Sequence, residues 1–186
     1  MANTDSTMVM VRARIQAPHI YEPFTNKFGK TAYSVILRVY DEKEFAKIEA
    51  AKLAACVKKF GENNAEKKLR VINKNPNCCL LREPDEDEGY KFLTATRKPE
   101  DGMPTLLDRQ RKNVSQADGL LVSGAWVNAL LQTWAYDNQS TGVGATLVGL
   151  QFVKSDEPFG GAPKAKADDF EDLGEDEDSG DNPLFA

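Results

Sequence analysis

The chain is poor in the residues that most chemistry needs. One histidine, His19, occurs in 186 residues, so a Ser- or Cys-based triad would rest on a single imidazole with no second base. His19 follows Pro18 near the end of a strand pattern and reads as a surface or hydrogen-bonded histidine. Three cysteines, with Cys78 and Cys79 adjacent, make no disulfide framework. Cys56 falls in a helical stretch as a small apolar residue. Without CxxC pairs or spaced histidines, zinc has no ligand set, and a reducing, intracellular setting is expected. No apolar run approaches the ~20 residues that a membrane span takes. The N-terminal "MANTDSTMVMVRARI" has no charged-then-apolar pattern of a secretion signal. GxSxG, HExxH and GxxxxGK[ST] are missing, and "GVGATLVG" leads into a strand pattern without a P-loop lysine. A metal nuclease needs only acids and lysine, and the nearest local fragment, Glu66-Lys67-Lys68, lies in helical sequence. No catalytic residue, cofactor or metal is expected.

Positive charge is missing from one end. The last nineteen residues, "DDFEDLGEDEDSGDNPLFA", hold nine carboxylates and no Lys or Arg. Residues 155–186 carry a net −9, which leaves +4 on residues 1–154. A basic body on an acidic tail points to a body that meets a polyanion and a tail that can imitate one. The expected organisation is a flexible N-terminus (1–7), one folded domain (8–154), a flexible Pro/Gly linker (155–167) and a disordered acidic tail (168–186). The tail reads either as a solubility device or, given its hydrophobic tip, as an interaction peptide.

What is present is mostly strand. "MVMVRARI" alternates, with Val9, Val11, Ala13 and Ile15 inward and Met10, Arg12 and Arg14 outward. "KTAYSVILRVY" puts Tyr33, Val35, Leu37 and Val39 inward and Ser34, Arg38 and Tyr40 outward. Each arginine alone reads as a solubilising charge; three beside a tyrosine on one face read equally well as a binding surface. Between the strands, "APHIYEPFTNKFGK" reads as a loop whose Tyr21, Phe24 and Phe28 either plug a barrel end or stack on something flat. Phe28 is the one expected to be buried. "DEKEFAKIEAAKLAACVKKFG" is the one prominent helix: Asp41 and Glu44 form a capping box, and Gly61 is a left-handed terminator. Its apolar side comprises Phe45, Ile48, Leu53, Cys56, Val57 and Phe60, and "AEKKLRVI" adds a shorter turn of helix. "NCCLLRE", "YKFLTATRK", "GLLVSGAWVNALLQTWAYD" and "VGATLVGLQFVKS" read as further strands, with "PDEDEG" a tight acidic hairpin loop. Many short strands with one helix predict a mainly β, α+β domain built as a small barrel.

The stretch "LLVSGAWVNALLQTWAYDNQSTGVGATLVGLQFVKSDEPFGG", with "RARIQAPHIYEPF", "KTAYSVILRVYDEKEF" and the helix before it, resembles a widespread bacteriophage family of single-stranded DNA-binding proteins with an OB-fold core. The resemblance covers about residues 8–160, and one departure is that the helix follows only two strands. It implies a protein that coats single-stranded DNA in phage replication, recombination and repair, in the cytoplasm of the infected bacterial host. Duplex DNA or RNA remain open as further ligands, and a homo-oligomer or a cooperative array on DNA is compatible with that role. The tail resembles the acidic, Phe-bearing C-termini of such proteins, which compete with DNA and recruit phage or host replication and recombination partners. Asp176, Glu177, Asp178, Asp181, Leu184 and Phe185 are the tail candidates, although Ala186 follows the phenylalanine here.

A non-specific binder needs cations for phosphates and rings for bases. The residues that offer these are Arg12, Arg14, Arg38 and Tyr40 on the outer sheet face, and Tyr21, Phe24, Lys27 and Lys30 from the first loop. Tyr90, Lys91, Phe92, Arg97 and Lys98 join them from "YKFLTATRK", and Arg109, Arg111 and Lys112 form a compact basic patch. Trp134 and Tyr136 share one side of a strand, where one can stack and the other fill the core; Trp126 and Trp134 are each open to a core reading. Two other classes compete: an acidic DNA mimic working through the tail, and a metal-dependent nuclease.

Overall fold

Alternation sets the inside of the barrel, because successive side chains of a strand point to opposite faces. The computed structural model describes residues 6–160 and 167–171. In it β1 (Met8–Thr25) buries Val9, Val11, Ala13 and Ile15 and turns Met10, Arg12 and Arg14 outward. β2 (Thr31–Val39) buries Val35, Leu37 and Val39, while Tyr33, expected with them, is half-buried at the strand's start. β3 (Lys91–Arg97) supplies Leu93 and Ala95, and β4 (Thr105–Leu107) supplies Leu106. β5 (Trp126–Asp137) contributes Val127, Ala129 and Leu131, and β6 (Thr141–Lys154) contributes Val143, Ala145, Leu147 and Leu150. The parity of β6 switches after Leu147 because Leu131 pairs with Leu147 but Leu130 with Gly149, which leaves Val148 as a bulge.

The strand order is β3-β2-β1-β5-β6-β4, and β3 also meets β6 in parallel at Thr96 and Thr146. That contact closes β1, β2, β3, β6 and β5 into a five-stranded barrel, the small barrel expected from the strand pattern and of the OB kind that the family resemblance implies. Two helices, rather than one, stand between β2 and β3. They are α1 (Glu42–Phe60) and α2 (Glu62–Asn73), the second a full twelve residues where a short turn was expected.

At the start of α1, Asp41 caps by accepting from the Lys43 N–H at 2.8 Å. Glu44 does not complete a capping box: its carboxylate accepts the Arg12 backbone N–H at 2.9 Å and lies 2.8 Å from Lys47. Gly61 ends the helix at positive φ, but its ψ of 159° is extended rather than left-handed helical, so α2 can begin at the next residue. The buried stripe is Ile48, Ala51, Lys52, Ala55 and Cys56, the i, i+3, i+4 spacing of one helix face. Leu53 lies off that stripe and is 38% exposed, contrary to its expected place inside. Lys52 takes an inside position instead, its ammonium 3.1 Å from Glu49 and 2.9 Å from Asn73.

α1 packs on β5 and β1, and one buried hydroxyl fixes the contact. Thr133 Oγ1 lies 2.8 Å from the Ala51 carbonyl and 3.1 Å from the Thr7 carbonyl. Replacing Thr133→Val keeps the shape and removes the hydroxyl, so unfolding in urea is expected to show a loss of about 1 kcal/mol. An unchanged midpoint would remove this hydroxyl from the account of the helix–barrel junction.

Four other expectations need correction. "APHIYEPFTNKFGK" is not a loop: β1 continues to Thr25 and pairs with β2 as an arm, with register shifts between Gln16 and His19 and between His19 and Phe24, the stretches that hold Pro18 and Pro23. Phe28, expected to be buried, sits in the tight turn at the arm's tip and is 82% exposed. "NCCLLRE" is a chain of turns with one isolated bridge, Arg82 to Phe92, because its apolar Cys78, Leu80 and Leu81 pack on the core without a ladder. "GLLVSGAWVNALLQTWAYD" becomes strand only from Trp126, since Gly119 and Gly124 both turn at positive φ before it. Residues Asp176, Glu177, Asp178, Asp181, Leu184 and Phe185 lie outside the described residues.

Candidate nucleic-acid interface

Strand pairing assembles one row of side chains across the outer face of the barrel. Phe92 pairs with Arg38, Arg38 with Arg14, Arg14 with Trp126, and Trp126 with Lys154. Directly opposed residues in a ladder point to the same face, so five strands contribute a ring or a cation each. The parity that buries Leu37, Ala13 and Val127 is what turns these outward.

The guanidiniums and rings are interleaved. Arg14 lies 5.7 Å from the Trp126 ring centroid and 4.2 Å from that of Phe159, which follows β6. Arg38 lies 3.9 Å from Phe159 and 4.4 Å from Tyr90. Lys154 lies 5.4 Å from Trp126, and Tyr40 sits between Trp126 and Tyr90 at 5.5 and 5.7 Å. Polar contacts fix the guanidiniums: Arg38 donates to Gln16 Oε1 at 2.7 Å, and Arg14 donates to the Gly124 carbonyl at 3.0 Å and the Glu157 carbonyl at 2.7 Å. These charges have carboxylate neighbours. Asp156 is 3.5 Å from Arg14, Glu88 is 3.9 Å from Arg38, and Glu83 is 3.3 Å from Lys91. The Trp126 Nε1–H donates to Asp156 at 2.8 Å, and that bond, followed by the Glu157 N–H, holds the Asp156 carboxyl below its usual range. Desolvation raises the Tyr90 phenol although Arg38 pulls the other way, so it stays a neutral ring at physiological pH.

A second row runs beside the first. Arg12 pairs with Asn128 and donates to its Oδ1 at 2.7 Å; Asn128 donates to Gln151, and Gln151 to the Asp108 carbonyl. Asp108 organises the turn that carries Arg109, Arg111 and Lys112, accepting the Gln110 and Lys112 N–H groups at 2.8 and 2.9 Å. Those three cations are exposed and border the same side of the barrel. Arg12, Arg14, Arg38, Tyr40, Tyr90 and Phe92 are thus brought together, with Arg109, Arg111 and Lys112 at the margin; Lys91 has the parity of Leu93 and reaches Phe45 of α1, 5.2 Å from its ring centroid.

The remaining candidates lie elsewhere. Tyr21 packs on the core with its hydroxyl buried. Phe24 stacks on His19 at 4.5 Å, out on the arm with Lys27 and Lys30, ten residues along β1 from Arg14. Arg97 shares the parity of Leu93 and Ala95 and donates to the carbonyls of Asp101, Gly102 and Leu147, so it staples the turn after β3; Lys98 is exposed beside it. Trp134 and Tyr136, 5.5 Å apart, lie over Gly144 and Gly142 of β6, eight and ten residues along β5 from Trp126. Neither Trp126 nor Trp134 is core. Sequence reasoning missed Trp126, Lys154 and Phe159 as members of the face. Trp126 shares strand parity with Trp134, a usable signal; Phe159 lies in what composition marks as linker. Among the described residues no group of three His, Cys, Asp or Glu is placed to hold a metal ion.

A closed five-stranded barrel bearing a face of interleaved cations and rings defines a nucleic-acid-binding protein of the OB class. The family model described as Enterobacter phage Enc34, ssDNA-binding protein, matches residues 6–181, and the chain belongs to this phage single-stranded DNA-binding protein family. Protein p50 of Acyrthosiphon pisum secondary endosymbiont phage 1 is 31% identical over 169 residues, covering 86% of this chain and 90% of that one. The single-stranded DNA-binding protein from bacteriophage Enc34, solved in complex with ssDNA, shares the fold with a TM-score of 0.60 at 20% identity, over 83% of this chain and 90% of that one. The gp2.5 single-stranded DNA-binding protein of bacteriophage T7 aligns with a TM-score of 0.54 at 16% identity, over 90% and 96% of the two chains.

Proposed function

We propose that the protein coats single-stranded DNA through the outer barrel face centred on Arg14 and Arg38, without turnover of the nucleic acid. The row of Phe92, Arg38, Arg14, Trp126 and Lys154 carries the reading, supported by membership of a family whose described member binds ssDNA. Guanidiniums track phosphates and rings receive bases whatever the sequence, each stack contributing roughly 1–3 kcal/mol. Replication, recombination and repair in the infected host cell are the settings that this activity serves. The acidic residues 168–186 compete with phosphate for the face and, once displaced, offer Leu184 and Phe185 to a replication or recombination protein.

Fluorescence anisotropy with a labelled dT oligonucleotide tests the core of this. Binding should weaken with salt at a log–log slope of about −3.5 for some five neutralised phosphates, and the oligonucleotide should remain intact when magnesium is added. Deleting residues 168–186 is expected to tighten binding several-fold at low salt and to have little effect at high salt, where exposed charges lose reach. Equal affinities of the two proteins in dilute buffer would remove the tail from the mechanism, and a flat salt response would remove phosphate tracking.

A further inference from the structure

Phe159 occupies the middle of the face. Its ring packs against two guanidiniums, 4.2 Å from Arg14 and 3.9 Å from Arg38, and those side chains are only 14% and 17% exposed. The segment that brings it there is anchored at several points. Asp156 meets Arg14 and the Trp126 Nε1–H, and the Glu157 carbonyl accepts from Arg14. Gly124, at φ 93°, lets this segment pass closely: a Cβ there would run into the Glu157 carbonyl. The two arginines that lie at the centre of the row are therefore covered by the chain's own residues.

We propose that the place Phe159 takes against Arg14 and Arg38 is a nucleobase seat, filled by that ring in the absence of DNA. This rests on the reading of the face as the DNA-binding surface. A place where two guanidiniums meet one planar ring accepts any base by its face and reads none by its edge, in keeping with binding that tolerates sequence. Entry of a base expels Phe159. It also frees the Arg14 N–H held by the Glu157 carbonyl to donate to phosphate, while the bond to the Gly124 carbonyl keeps the guanidinium in place. Asp156 leaves with the strap, so the seat gains positive charge as it opens. The strap leads on to the acidic extension, and strand occupancy thereby moves the tail's anchor point off the barrel.

The test is the sign of one substitution. A base competing with Phe159 pays for the closed population, so Phe159→Ala in the full chain should bind a labelled dT oligonucleotide about five- to tenfold tighter than the unchanged protein. That gain should persist at high salt, whereas a gain from Asp156→Asn should fade with salt as a charge effect does. With 4-fluorophenylalanine at position 159, saturating oligonucleotide should move the fluorine resonance to its solvent-exposed position. Weaker binding by Phe159→Ala would make the ring a lasting part of the stack, and unchanged binding or an unmoved resonance would show that no base enters; either overturns the seat while leaving the DNA-binding reading intact. Failure of both the unchanged protein and Phe159→Ala to bind in dilute buffer overturns that reading, and the seat with it.

Discussion

Replacing Arg14 and Arg38 together by alanine is expected to lower affinity for a dT oligonucleotide by about 100-fold or more. Each guanidinium supplies hydrogen bonds to a charged group, worth roughly 1.5–3 kcal/mol apiece, and each is a stacking plane as well. The salt slope should also flatten by about 0.7 for each lost phosphate contact. Charge alone is separable from shape. Arg38→Lys keeps the cation but cannot lie flat between Tyr90 and Phe159, so it should lose about tenfold while keeping the salt slope. The same anisotropy titration reads both variants. A double variant within threefold of the unchanged protein would move the interface elsewhere, for instance to the arm with Phe24, Lys27 and Lys30 or to the turn with Arg109, Arg111 and Lys112.

Why these two arginines, among 24 basic residues, stand out only in three dimensions is a matter of range. The inward and outward parity of β1, β2 and β3 is legible in the chain because each strand buries one face. That Arg12, Arg14 and Arg38 face outward follows from it. The ladder register does not: Arg14 opposite Arg38, Phe92 opposite Arg38 and Trp126 opposite Arg14 are pairings between distant segments, fixed by the packing of the whole barrel. Lys154 joined the site through that register alone. Phe159 shows a second limit. Pro158, Gly160 and Gly161 mark its segment as a linker by composition, yet Arg14, Trp126 and Gly124 hold it against the barrel. Local composition describes what a segment costs to order, not whether a distant partner orders it. The arm misled for a related reason. Pro18 and Pro23 spoke against strand, but an arm two strands wide is all edge, where a missing N–H is tolerated.

Helix α1 failed in a different way. Hydrophobicity placed Leu53 inside, whereas the buried stripe takes Lys52. The lysine is tolerated because its stem covers apolar surface while its ammonium reaches Glu49 and the end of α2 at Asn73. The period was readable; the identity of one buried position depended on an acceptor on another helix.

Leu147→Ala should show the opposite dissociation from the arginine variants, with stability lost and affinity kept. Leu147 is fully buried on β6, one residue from Thr146, whose parallel contact with Thr96 closes the barrel. Truncation there leaves a cavity that the bulge at Val148 and the closure point are poorly placed to collapse. A cost of about 3 kcal/mol is expected, within the usual range of 2–5 for such a change. In a domain of this size that lowers the melting temperature by roughly 6–12 °C, measurable by circular dichroism. The side chain points into the barrel, away from the face that carries Arg14 and Arg38, so the folded variant at 20 °C should bind the dT oligonucleotide within about twofold of the unchanged protein. If affinity fell in step with stability, the outer face would depend on barrel closure itself. The row of cations and rings would then be a property of the closed sheet rather than of its side chains.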